Sequence, residues 1–185
     1  MAPRRTRIRG RPPGRLGRGE APPPPGGTGL REPAVALLDA LAARHLRVAV
    51  AESCTGGLLA AALTDPPGAS RTFAGGVVAY DNSVKVGLVG VQPRSLAECG
   101  AVSEVVAQEM AQGVRRRLGV DVGLSTTGIA GPDGGTPEKP VGTVWIGVAT
   151  PEGSWAEVHR FDGDRDTVRA QTMDAACRLA LRHLP

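Results

Sequence analysis

Three turns hold the residues able to do chemistry. The first is Ala51-Glu52-Ser53-Cys54-Thr55-Gly56-Gly57, which joins a short apolar run to a helical pattern. A serine at such a strand-to-helix turn stands above the sheet edge, and the free amides of the next turn point at whatever it attacks. The amides of Thr55, Gly56 and Gly57 suit an oxyanion or a phosphate; they suit plain helix capping equally well. The second turn, Val78 to Lys85, holds Tyr80, the one tyrosine of the chain, and places Lys85 a turn into the next helix. The third is a long Gly- and Pro-rich loop from Thr126 to Gly142 that includes Thr127, Gly128 and Gly131. Its amides have the makings of an anion nest, and a loop of that length is a functional element or a long surface connection.

A serine nucleophile needs a base. The three histidines, His45, His159 and His183, match no metal-ligand spacing, and none is well placed for a Ser-His-Asp arrangement. Lysine with a lowered pKa is an alternative base. The chain has 20 Arg and only two Lys, Lys85 and Lys139, both in dense motif regions. Arginine cannot be deprotonated near neutral pH, whereas lysine can. Ser53 with Lys85 is the natural pairing, with Tyr80 available as a proton relay.

The elements that must hold these turns read as follows. Residues 33–45 form a helix with Pro near its first turn. Residues 46–52 form a buried strand, residues 56–64 a small-residue helix and residues 72–80 a second strand. A short helix follows Asp81, and an amphipathic one follows Ser103 as its cap. Residues 121–131 are a strand running into a glycine turn. The segments 142–150 and 155–161 pair across the turn 151–154, and residues 164–184 form a closing helix. Strands and helices alternate early and two strands adjoin late, so the expected fold is α/β: a three-layer α/β/α domain with a mixed sheet.

Composition narrows the function classes. Of 185 residues, 41% are hydrophobic but only 3% aromatic, so the core is built of Ala, Val and Leu. Few rings also argue against a single-stranded nucleic-acid platform. Residues 1–30 hold seven Arg and one Glu, and almost half of them are Pro or Gly. Such a segment is expected to be a disordered tail. Residues 31–185 hold 15 basic and 17 acidic residues, a mild negative balance that speaks against nucleic acid except through the tail. The odd cysteine count, the lack of an apolar run of membrane length and the lack of a secretory signal lead to a cytoplasmic protein with no membrane partner.

Taken in order, the motifs AESCTGG (51–57), PGAS (67–70), GGVVAY (75–80), NSVK (82–85), GAVSE (100–104), TGIAGPDGG (127–135), KPVGTVW (139–145) and GDRD (163–166) resemble the C-terminal domain of the competence/damage-inducible protein CinA. That domain also exists as stand-alone nicotinamide-nucleotide amidohydrolases of the PncC type. The resemblance covers residues 33–184 and implies a three-layer α/β/α fold. The implied activity is hydrolysis of nicotinamide mononucleotide to nicotinic acid mononucleotide and ammonia, with no cofactor and no metal. It also implies Ser53, Lys85 and Tyr80 as matching catalytic positions and a matching hydroxyl at Thr127. The large N-terminal domain of full-length CinA has no counterpart here, which points to the stand-alone form.

The expected reaction has Lys85 take the Ser53 proton, directly or through Tyr80, with amides near Thr55, Gly56 and Gly57 holding the oxyanion. The substrate phosphate has two candidate sites, the Gly131–Gly135 loop and Arg165. Two alternatives remain beside it: an amidase for another substrate, and a non-catalytic competence or damage-response accessory. A homo-oligomer is compatible with the sequence.

Overall fold

The computed structural model describes residues 32–185; the tail at 1–30 lies outside the described residues. Six helices and five strands follow in the order α1 (Glu32–Ala43), β1 (Val48–Glu52), α2 (Leu58–Thr64), β2 (Phe73–Val78), α3 (Asn82–Val89), α4 (Pro93–Cys99), α5 (Glu104–Leu118), β3 (Val122–Gly128), β4 (Thr143–Thr150), β5 (Gly153–Arg160) and α6 (Arg165–Arg182). The sheet order is β2-β1-β3-β4-β5. Strand β1 runs parallel to β2 and β3, while β3–β4 and β4–β5 are antiparallel, so the sheet is mixed as expected.

Strand alternation sorts the core into two layers. Val48 and Val50 of β1, Val122 and Leu124 of β3, and Ile146 and Val148 of β4 pack against Leu37 and Leu41 of α1, Leu59 of α2 and Leu179 of α6. Ala49 and Ala51 face the other way, toward Val106, Met110 and Val114 of α5 and Val89 of α3. Helix α5 lies very close on the sheet: a Cβ at Gly123 would come within 2.1 Å of the Ala111 carbonyl oxygen, and one at Gly147 within 2.5 Å of that of Ala107. A core poor in rings is filled this way, by close approach of backbones rather than by large side chains.

Several boundaries move. The helix expected from Gly56 begins at Leu58, because Gly56 and Gly57 have φ of 59° and 98°, outside the helical region. Strand β5 starts at Gly153, not Trp155; Thr150 and Gly153 already pair, which leaves a two-residue turn. Ser103 precedes α5 but does not cap it: its hydroxyl donates back to the Gly100 carbonyl at 2.8 Å. Asp81 and Asp164 do cap, accepting from the Ser83 and Thr167 amides. No described helix is long and apolar enough to cross a membrane.

Candidate active site

Because β1, β2 and β3 run parallel, their C-terminal ends share one edge of the sheet. All three chemically interesting turns leave from that edge, the usual place for a ligand crevice in an α/β sheet. Ser53 follows β1, Ala79 to Asn82 follow β2, and Thr127 and Gly128 end β3. A cleft of about 220 Å³ opens there. Ser53, Cys54, Tyr80, Lys85, Ala101, Val102, Thr127, Gly128, Ala130 and Arg165 are among the residues that line it.

Lys85 is the largest fully buried side chain, only 1% exposed. Its position follows from α3: Asp81 caps the helix and Lys85 sits one turn in, so the side chain reaches back under the β2–α3 turn. Nζ donates to the Ala79 carbonyl at 2.9 Å, the Tyr80 carbonyl at 3.0 Å and Ser53 Oγ at 3.2 Å. Burial pushes the Lys85 pKa below its ordinary 10.5, partly opposed by the charge of Asp81 and by Cys54. The geometry fixes what a neutral Nζ does. The two carbonyls can only accept, so they hold its two N–H groups. The lone pair is left facing Ser53 Oγ, which then becomes the donor. That is the arrangement of a general base on a hydroxyl nucleophile.

Glu52 is the residue that the sequence reading missed. Its side chain is fully buried. Oε2 accepts from the Gly57 and Leu59 amides, both at 3.0 Å, and Oε1 from Ala60 at 2.8 Å. The N-cap of α2 is Gly57 in the left-handed conformation, with no side chain to cap the helix. The carboxyl group from five residues upstream does it instead. The backbone of Glu52 also ties the base to the nucleophile: its carbonyl accepts from the Ala79 amide at 2.7 Å, and the Ala79 carbonyl holds Lys85. A signal for this existed in the sequence. A glutamate closing the buried-type strand VAVAE has to find donors somewhere.

Two of the three expected oxyanion donors, the Gly56 and Gly57 amides, are already engaged. The Gly57 amide is taken by Glu52, and the Gly56 amide donates to the Ser53 carbonyl at 3.1 Å. Thr55 is fully buried outside the cleft, its hydroxyl 2.7 Å from Thr126 Oγ1 and its carbonyl held by Arg169. Cys54 follows the nucleophile in the chain, and its thiol is buried. Burial dominates that thiol and raises its pKa to about 12, so Cys54 is a protonated wall rather than a competing nucleophile.

Tyr80 also differs from expectation. Its carbonyl, not its hydroxyl, holds Lys85. The side chain is 60% exposed, with the hydroxyl 3.5 Å from Arg165 NH2. Ser53 and Lys85 touch directly, so no relay is needed. Thr127 lines the cleft, but its hydroxyl donates to the Ala101 carbonyl at 2.7 Å. Arg165 enters the cleft from the start of α6 and donates to the Gly131 carbonyl at 3.0 Å, so Gly131 supports the arginine from behind.

Comparison with known proteins agrees with this architecture. The CinA C-terminal domain family matches residues 31–184. A CinA-like protein of Desulfotalea psychrophila is 50% identical over 145 residues, covering 78% of this chain and 35% of the relative. One of Synechocystis is 55% identical over 137 residues, covering 74% and 33%. The chain thus spans about a third of the length of these relatives. Among solved structures, a competence/damage-inducible protein of Agrobacterium tumefaciens superposes with a TM-score of 0.82 at 35% identity, over 84% of this chain and 96% of that one. A CinA superfamily protein of Escherichia coli gives 0.80 at 37%, over 84% and 90%. A motif series that runs the length of the described residues, a mixed five-stranded sheet and these matches together make the chain a member of the CinA C-terminal domain family.

Proposed function

We propose that the chain is a nicotinamide-nucleotide amidohydrolase, converting nicotinamide mononucleotide and water to nicotinic acid mononucleotide and ammonia. The observation that carries the reaction class is the Lys85 Nζ–Ser53 Oγ contact of 3.2 Å, with the other two Nζ donors held by carbonyls. Neutral Lys85 takes the Ser53 proton as Oγ bonds to the carboxamide carbon. The C–N bond breaks and Lys85 returns the proton to the departing ammonia, leaving an acyl ester on Ser53. Lys85 then takes a proton from water, whose oxygen attacks the ester; as the C–Oγ bond breaks Lys85 returns that proton to Ser53 Oγ, freeing the acid and restoring the hydroxyl and the neutral base. The amides of Cys54 and Thr55, beside the nucleophile, are the donors for the oxyanion.

The substrate rests on the family's motif series, and two features of the cleft agree with it. Ala101, Val102 and Ala130 give an apolar surface for a ring, and Arg165 at the other side suits a phosphate. The test is ammonia release from nicotinamide mononucleotide by the full chain. Ammonia and nicotinic acid mononucleotide in equal amounts are expected; no ammonia above the buffer control overturns the reading.

A further inference from the structure

Part of the cleft lining, Ala101 and Val102, belongs to Gly100–Ser103, a segment between α4 and α5 with no regular backbone pairing. Its four consecutive carbonyls, from Cys99 to Val102, are nonetheless all held by side chains. Gly100 accepts from Ser103 Oγ at 2.8 Å, and Ala101 from Thr127 Oγ1 at 2.7 Å. Cys99 and Val102 both accept from Lys139 Nζ, at 3.0 and 2.7 Å. One ammonium therefore closes the segment from both ends. Ala101 and Val102, between those ends, are the residues that face the cleft.

Lys139 is itself fixed. Its carbonyl accepts from the Thr136 amide at 2.9 Å, and its amide donates to Thr136 Oγ1 at 3.1 Å. The loop that carries it is anchored to β4 through Ile129, Thr143 and Gly142. The same loop offers the Gly131 carbonyl to Arg165. Two sides of the cleft thus hang on one loop: the apolar wall through Lys139 and the cationic side through Arg165.

We infer that Lys139 is a positioning residue that sets the Ala101–Val102 wall and thereby the fit of the substrate ring, without taking part in the chemistry at Ser53. A compact ammonium suits the task, because its tetrahedral donors reach two carbonyls that converge on one point. The kinetic part of this inference rests on the amidohydrolase reading.

The test compares the full-length wild type with Lys139→Met, which keeps the apolar stem and loses both donations. With nicotinamide mononucleotide, KM is expected to rise about tenfold while kcat stays within about twofold, the pattern of lost ground-state fit. Hydrogen exchange of a peptide spanning residues 97–105 is expected to speed up about tenfold, with α6 unchanged. Lys139→Gln, one bond shorter, is expected to move both readouts the same way and serves if the methionine variant does not fold. Unchanged exchange overturns the inference, because the wall does not then depend on Lys139. Faster exchange with unchanged KM, or a fall in kcat alone, overturns it too. If the wild type releases no ammonia, the functional reading fails, and exchange alone decides whether Lys139 holds the wall.

Discussion

Lys85 and Lys139 do the same thing to the backbone, each donating to a pair of carbonyls. Their surroundings differ in two ways. Lys85 is buried at the base of the cleft turns, while Lys139 is half-buried at the end of a surface loop. Lys85 has a third partner, the Ser53 hydroxyl, which carries a proton it can give up. Burial lowers the Lys85 pKa, and the paired carbonyls aim the lone pair of its neutral form. On the proposed reading, pinning carbonyls makes a brace at Lys139, and pinning them against a hydroxyl makes a base at Lys85. On the same reading the two lysines of an arginine-rich chain have different reasons to be lysine, chemical at Lys85 and geometric at Lys139.

The contrast breaks first at the nucleophile pair. Ser53→Ala is expected to cost several orders of magnitude, roughly 10⁴-fold or more, in kcat for ammonia release. Lys85→Met and Lys85→Arg are both expected to lose about 10²- to 10⁴-fold, the range for a general base. Arginine keeps the charge but not the ability to deprotonate, so activity retained in Lys85→Arg would put Lys85 in the class of Lys139. In Glu52→Gln one amide hydrogen of the new side chain must meet a backbone N–H, since both carboxylate oxygens already accept. A stability loss of about 1–3 kcal/mol in denaturant unfolding, and a fall of about tenfold or more in kcat from a displaced Ser53, are expected. Cys54→Ala is expected to stay within about threefold of wild type, since a thiol held that far above neutral pH is not a nucleophile.

The layered fold and mixed sheet were legible because β1 and β4 are near-continuous apolar runs and α5 shows helical spacing. Helix α4 was not, because none of its residues is buried and it leaves no apolar period. Residue type and turn position were enough to pick out Ser53, Lys85 and Arg165, which the fold brings to one cleft. The engagement of the Gly56 and Gly57 amides was not legible, because amides at a helix start look free until every acceptor is known; the acceptors here are the Ser53 carbonyl and Glu52, the latter outside the span where local capping rules apply. The contact between Lys85 and the Tyr80 carbonyl, rather than its hydroxyl, was not legible because residue type reports a side chain and not the direction of a backbone group. The Gly100–Ser103 wall depends on contacts between residues 26 and 40 positions apart, which no local pattern records.

The central claim is that neutral Lys85 activates Ser53, and the dependence of kcat/KM on pH for ammonia release from nicotinamide mononucleotide tests it most directly. The base acts only when deprotonated. Activity should therefore rise tenfold per pH unit at the acid end and level off at an apparent pKa below the 10.5 of an ordinary lysine. The residual activity of Lys85→Met should lack that limb. A wild-type profile that is flat, or that falls as pH rises through the same range, would contradict the account.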